Sequence, residues 1–125
     1  MKTEQQKALY DKYPIIFQDV GKSPMTTGMH WGIQTGDGWY KLIDQLCDRI
    51  QNHKTESPVI ATQVKEKFGT LRFYYYGGDN YIDELVTFAG YESERTCEIC
   101  SEPGTMRNDG WMKVRCDSCM EKEND

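Results

Sequence analysis

Two cysteine pairs near the C-terminal end constrain this chain more than any other feature. Cys97-Glu98-Ile99-Cys100 and Cys116-Asp117-Ser118-Cys119 each hold two thiols two residues apart, with fifteen residues between the pairs. A C-x2-C turn aims both of its sulfur atoms at one point, and fifteen residues suffice to leave as a strand, turn and return. The intervening sequence suits that route. Pro103-Gly104 and Asp109-Gly110 are turn dipeptides, and Trp111-Met112-Lys113-Val114-Arg115 reads as a strand leading into the second pair. Four thiolates from Cys97, Cys100, Cys116 and Cys119 complete a tetrahedron around one Zn²⁺, each sulfur about 2.3 Å from the metal. No open position is left for water or substrate, so the expected zinc is structural. Two disulfides, an iron–sulfur cluster or loose thiols are the competing uses of the same residues.

The compartment bears on that choice. The chain opens Met1-Lys2-Thr3-Glu4-Gln5-Gln6 with no apolar export segment, and no run of about 18 apolar residues occurs to span a membrane. A cytoplasmic protein is expected, in which thiols stay reduced and metal is favoured over disulfides.

Upstream, the pattern is that of an α+β body. Residues 3–13 suit a short helix that Pro14 stops, and residues 14–38 are broken by Pro24 and five glycines, with short extended pieces at Ile15–Phe17 and Met29–Ile33. Trp39, Leu42, Ile43, Leu46, Cys47 and Ile50 then recur at helical spacing, with Asp37 placed to cap the helix. Val59–Val64 and Leu71–Tyr76 are β-branched and aromatic runs around Lys67-Phe68-Gly69-Thr70, which predicts an antiparallel hairpin. Asp79 or Asn80 caps a further helix through Tyr81, Ile82, Leu85, Val86 and Phe88, with Gly90 near its end. The expected fold is a small antiparallel sheet packed with helices over residues 1–90. The zinc ribbon and a charged tail, Glu121–Asp125, follow over residues 91–125.

No catalytic group and no cofactor-binding loop stands out. Cys47 lies on an apolar helical stripe, where a free cysteine is ordinarily a small buried hydrophobe. His53 follows the helix at its negative dipole end, a stabilising place for an imidazole. Asp83-Glu84 reads as a solvated helix surface, and Gly36-Asp37-Gly38 as a helix opening with no anion cradle. On the second strand Arg72, Tyr74 and Tyr76 share one face, with Lys65 and Lys67 on the partner strand. They could stack nucleic-acid bases, but helices covering the sheet would use them as packing, and packing is the favoured expectation.

Several segments taken together carry a likeness. Gly36-Asp37-Gly38-Trp39, Leu42-Ile43, Leu46-Cys47, Val64-Lys65-Glu66-Lys67-Phe68-Gly69, Leu71-Arg72-Phe73-Tyr74 and the cysteine pairs around Gly110-Trp111 resemble a family of small phage, prophage and bacterial proteins with a C-terminal four-cysteine zinc ribbon. The resemblance spans about residues 30–120 and leaves residues 1–28 outside it. It implies this architecture and a phage or mobile-element setting, hence a host-cell cytoplasm, and it assigns no reaction.

Charge separates the functional classes. The net charge is −5, of which residues 91–125 hold −4 (nine acids, five bases) and residues 1–90 hold −1 (eleven acids, ten bases). An acidic ribbon is poorly suited to a phosphate backbone and better suited to a basic protein surface. The expected function is therefore a non-enzymatic zinc-containing binding protein of phage type. It would engage or inhibit a host or phage protein such as a nucleic-acid enzyme or a defence complex. The alternative is a nucleic-acid-binding or transcription-associated zinc ribbon, with Arg107, Lys113 and Arg115 gathered on one face.

Overall fold

The computed structural model describes residues 1–124; Asp125, the last residue of the expected charged tail, lies outside the described residues. The fold is α+β, a three-stranded sheet with helices followed by a two-stranded ribbon that carries the cysteines. The elements run α1 (Thr3–Lys12), β1 (Ile33–Gln34), α2 (Tyr40–Gln51), β2 (Ile60–Lys67), β3 (Thr70–Tyr76), α3 (Asn80–Ser93), β4 (Thr105–Asp109), β5 (Trp111–Arg115) and α4 (Asp117–Asn124). Short 3-10 turns occupy Gly28–Trp31 and Asp37–Trp39.

The hairpin forms where the β-rich runs predict it, but with longer strands and a tighter loop. Only Phe68 and Gly69 lie between β2 and β3, with φ of 54° and 79°. Positive φ at both loop residues matches the right-handed twist of a two-residue hairpin. Gly69 takes that conformation freely, while Phe68 must be held in it. The Glu66 carboxylate accepts from the Gly69 N–H at 3.0 Å and fixes the turn. A bulge at Thr62, between the Ala61–Tyr75 and Gln63–Tyr74 pairs, turns both Ala61 and Val64 into the core although they are three residues apart.

Ile33-Gln34 adds a third strand, parallel to β2 beside Val64 and Lys65, so the sheet is mixed and not purely antiparallel. The expected extended piece at Met29–Ile33 is a 3-10 turn up to Trp31, and Ile15–Phe17 lies in successive turns that start at Pro14. Both corrections have one cause: these apolar residues are core plugs in irregular backbone, with Ile16, Phe17 and Met29 buried.

The core lies between the sheet and the helices. The α2 stripe of Leu42, Ile43, Leu46, Cys47 and Ile50 meets Val64, Leu71 and Phe73 from the sheet and Ile82 and Ala89 from α3. Residues Leu9, Tyr13, Ile16 and Phe17 join the same core, and the Tyr13 hydroxyl donates to Asp44 on α2 at 2.6 Å. The N-terminal segment is thus built into the body. Helix α3 has Gly90 near its end, as expected, but runs on to Ser93, across the expected boundary at residues 90/91. A Cβ on Gly90 would meet the Leu71 carbonyl oxygen of β3 at an unforced 3.9 Å, and Ser93 is fully buried, its hydroxyl accepting from the Leu71 N–H at 2.9 Å.

Candidate metal centre

The ribbon places its sulfur atoms through two turns and a hairpin. After α3 the chain forms a single bridge between Thr96 and Pro103, closed by Cys97 N–H to Glu102 C=O at 2.8 Å and Ser101 N–H to Cys97 C=O at 3.0 Å. Ser101 adopts a left-handed φ of 74° to complete this first knuckle. β4 and β5 then pair from Thr105–Arg115 to Asp109–Trp111 around Gly110, so the expected strand Trp111–Arg115 and the expected turn both form. The second knuckle starts α4, with the Cys119 N–H directed at Cys116 Sγ at 3.4 Å. The residues expected to be a plain charged tail are helical as far as Asn124, because the knuckle turn continues directly into helical backbone.

The outcome is a cluster in which the sulfur atoms of Cys97, Cys100, Cys116 and Cys119 all lie within 4.8 Å of one another. Cys100 Sγ and Cys116 Sγ are 3.6 Å apart. Sulfur atoms on a tetrahedron of about 2.3 Å radius stand about 3.8 Å apart, so the donor set has the size and chemistry of a metal site. Crowding also separates the thiols' ionisation. Burial opposes ionisation of Cys97, but the N–H groups of Cys116, Cys100 and Ile99 outweigh it and bring the thiol down to about 7. Burial and the neighbouring sulfur atoms push Cys119 up to about 12. Four thiolates coexist at this spacing only around a cation.

The first knuckle is seated on the body, an arrangement that the spacing of the cysteines does not reveal. The Gly38 N–H donates to Glu98 C=O at 2.7 Å and the Gly36 N–H to a Glu98 carboxylate oxygen at 2.8 Å. The Ser101 hydroxyl donates to Gly38 C=O. A Cβ on Gly38 would lie 2.2 Å from the Cys97 carbonyl oxygen, and one on Gly36 would lie 2.3 Å from that of Glu98. Trp39 is fully buried beside this contact and its indole N–H donates to Thr96 C=O at 2.9 Å. Asp37 caps nothing. It accepts from the Lys2 N–H at 2.8 Å and so ties down the start of the chain, because Trp39 and not Asp37 stands at the N-cap of α2. The Gly-Asp-Gly-Trp run was the available signal, but its glycines answer to a contact some sixty residues downstream.

Glu98 is itself nearly buried, and burial raises its carboxyl above the ordinary range while Gly36 and Arg115 draw it back. Three of the five ribbon cations are committed internally. Arg107 pairs with Asp117 at 2.8 Å, Lys113 with Glu123 at 2.7 Å, and Arg115 with Glu123 and, at 3.7 Å, Glu98. They do not gather as a free basic face.

The remaining singled-out residues lie apart from the cluster. Cys47 is fully buried on α2 and burial pushes its thiol up, which is the core role. His53 reaches from the end of α2 to the Asp79 carboxylate at 2.9 Å. The face of β2 and β3 bearing Lys65, Lys67, Arg72, Tyr74 and Tyr76 is not covered by α2 or α3, which pack on the opposite side against Leu71 and Phe73. Tyr74 and Tyr76 are 44% and 51% exposed, so the expectation that these rings serve as packing is corrected. No family model, no curated protein and no solved structure matches this chain.

Proposed function

We propose that this is a non-enzymatic, zinc-containing binding protein of phage type that engages a protein partner through the outer face of α3. The observation that carries the reading is a half-exposed aromatic stripe in which Tyr81 lies against the His53 ring, centroids 4.4 Å apart, while Phe88 and Tyr91 stand open. Tyr81, Phe88 and Tyr91 are 50%, 49% and 58% exposed, and with Glu84 they follow helical spacing along one side. Phe88 and Tyr91 border a shallow hollow of about 300 Å³ that Asp83, Glu84 and Thr87 complete. Exposed rings of this kind act as anchors at protein interfaces, and the flanking carboxylates favour a basic counterpart. A nucleic-acid enzyme or a defence complex presents such a surface, and occupying it would inhibit that enzyme.

The non-catalytic part of the reading is supported by where the reactive side chains go. The four ribbon thiols share one cluster, Cys47 is sealed in the core, and His53 is engaged with Asp79. Zinc is favoured because an all-thiolate tetrahedron with C-x2-C spacing suits it, and with four protein ligands its role is structural. Elemental analysis should give one zinc per chain, absent from Cys97→Ser and Cys116→Ser. Iron, or a folded chain without metal, would end the zinc assignment.

The partner is tested by capture from nuclease-treated host lysate with the zinc-loaded chain and with a Phe88→Asp/Tyr91→Asp variant. A protein held by the former and lost from the latter, at equal zinc content, supports the reading. Equal capture by both, or none by either, removes α3 as the docking face.

A further inference from the structure

We propose that the outer face of β2 and β3 is a binding site for single-stranded nucleic acid. Alternation along the strands places Gln63, Lys65 and Lys67 of β2 and Arg72, Tyr74 and Tyr76 of β3 on one surface, turned away from the helices. Register sets Lys65 opposite Arg72 and Gln63 opposite Tyr74, so charge and ring lie side by side. Tyr74 and Tyr76 stand about 6.7 Å apart along the strand, a spacing at which successive bases of an extended strand can each meet a ring. The same surface forms one side of a groove of about 480 Å³ whose other wall is Pro24, Thr26 and Thr27. The Thr26 and Thr27 hydroxyls of that wall donate to the Ser23 and Thr62 carbonyls at 2.9 and 3.1 Å, which leaves the Gln63 amide on the sheet side to meet base edges.

The electrostatics of this face differ from those of the chain as a whole. Among the described residues Lys65, Lys67 and Arg72 form no ion pair, in contrast to Arg107, Lys113 and Arg115 of the ribbon. The Arg72 Nε–H is shielded from solvent and has no acceptor among the described residues. The only acid of the two strands, Glu66, points to the other side and holds Gly69. The nearby Asp19 is buried against Lys22 at 2.9 Å. A net charge of −5 therefore coexists with a local surface of three unpaired cations and two open rings, the combination that binds a flexible polyanion bearing stackable bases.

The test is fluorescence anisotropy of labelled twelve-nucleotide oligo-dT and oligo-U with the full zinc-loaded chain, at low and moderate salt. Single strands should bind, more weakly as salt rises, and ahead of a duplex of equal length. Tyr74→Ala should cost about 5- to 100-fold in affinity, while Tyr74→Phe, which keeps the ring, should stay within about twofold. Lys65→Glu/Lys67→Glu should lower the slope of log affinity against log salt by about 1.4. Zinc content and far-UV circular dichroism check each variant's fold, and Tyr76→Ala, at the exposed strand end, serves in place of any variant that fails. No binding at low salt, or binding indifferent to these substitutions, would overturn the site. Equal affinity for inorganic polyphosphate or an acidic peptide would overturn it too, since charge alone would then suffice. Phe88→Asp/Tyr91→Asp should leave oligonucleotide affinity unchanged, which keeps this outcome separate from the fate of the α3 surface.

Discussion

Gly38 is bare because the first knuckle leaves no room beside it. Its α-carbon faces the Cys97 carbonyl so closely that an added methyl would overlap main-chain atoms, which cannot swing aside as a flexible side chain would. Gly38→Ala should therefore destabilise the chain by about 2–3 kcal/mol. It should also release metal at lower chelator concentration than the wild type, although it alters no ligand. Denaturant melts and a colorimetric zinc-release titration measure the two effects, and unchanged zinc retention would mean that the knuckle does not depend on its seat. At this scale the sequence is informative where chemistry is local. The ligand cysteines are legible from spacing, and Cys47 from its place on an apolar stripe. Gly36, Gly38 and Glu98 are not, because each is fixed by a contact with residues distant in the chain.

Helix α3 shows how one element is held at both ends. Asp79 accepts from the Ile82 N–H at 3.1 Å as an N-cap, and its other oxygen meets His53 from the end of α2, so two helix termini share one carboxylate. The His53 contact, then the Ile82 N–H, lowers the Asp79 pKa below the ordinary 3.8. A depressed carboxyl contributes stability above its unfolded value, and that contribution is lost as pH falls through the folded one. Asp79→Ala should lower the melting temperature by roughly 4 °C near neutrality. The difference from wild type should shrink as pH drops below the ordinary aspartate range; thermal melts across that range check it, and a constant difference would exclude the linkage. The long periodic elements, α2 and the hairpin, are legible in the sequence because many residues repeat one signal. β1 has only Ile33 and Gln34 and owes its pairing to the neighbouring β2, and α4 is only eight residues long and starts within a knuckle. α3 runs past Gly90 to Ser93, whose hydroxyl meets the Leu71 N–H of β3, a contact with residues distant in the chain.

For the molecule as a whole, the buried apolar cluster runs from Leu9 to Ala89, whereas the ribbon buries chiefly Val114 and the thiols Cys97 and Cys119. So few apolar groups leave the ribbon dependent on metal. Chelation should first loosen residues 95–120, with helix loss confined to α4. Trp39, at the seam, is the reporter of choice, since Trp31 and Trp111 are already 62% and 65% exposed. In a Trp31→Phe/Trp111→Phe variant, Trp39 emission should shift on metal removal while most of the circular dichroism persists. Collapse of both at one chelator concentration would mean that ribbon and body melt as one unit.

The seat of the first knuckle also bears on how the chain matures during synthesis. The turn at Gly36–Gly38 bonds to Glu98 and Ser101 across separations of 62 and 63 residues. While the ribosome is still adding α3, Asp37 of that turn can already meet Lys2, but Gly36 and Gly38 lack their partners. Contacts so distant in sequence close late, after the local hairpin and helices have formed. Capture of the metal by the nascent second knuckle is then the event that brings the ribbon down on a turn made long before. On the proposed zinc reading, a cell short of that metal would accumulate chains whose bodies are shaped but whose seam stays open, a form exposed to proteases at residues the finished protein conceals.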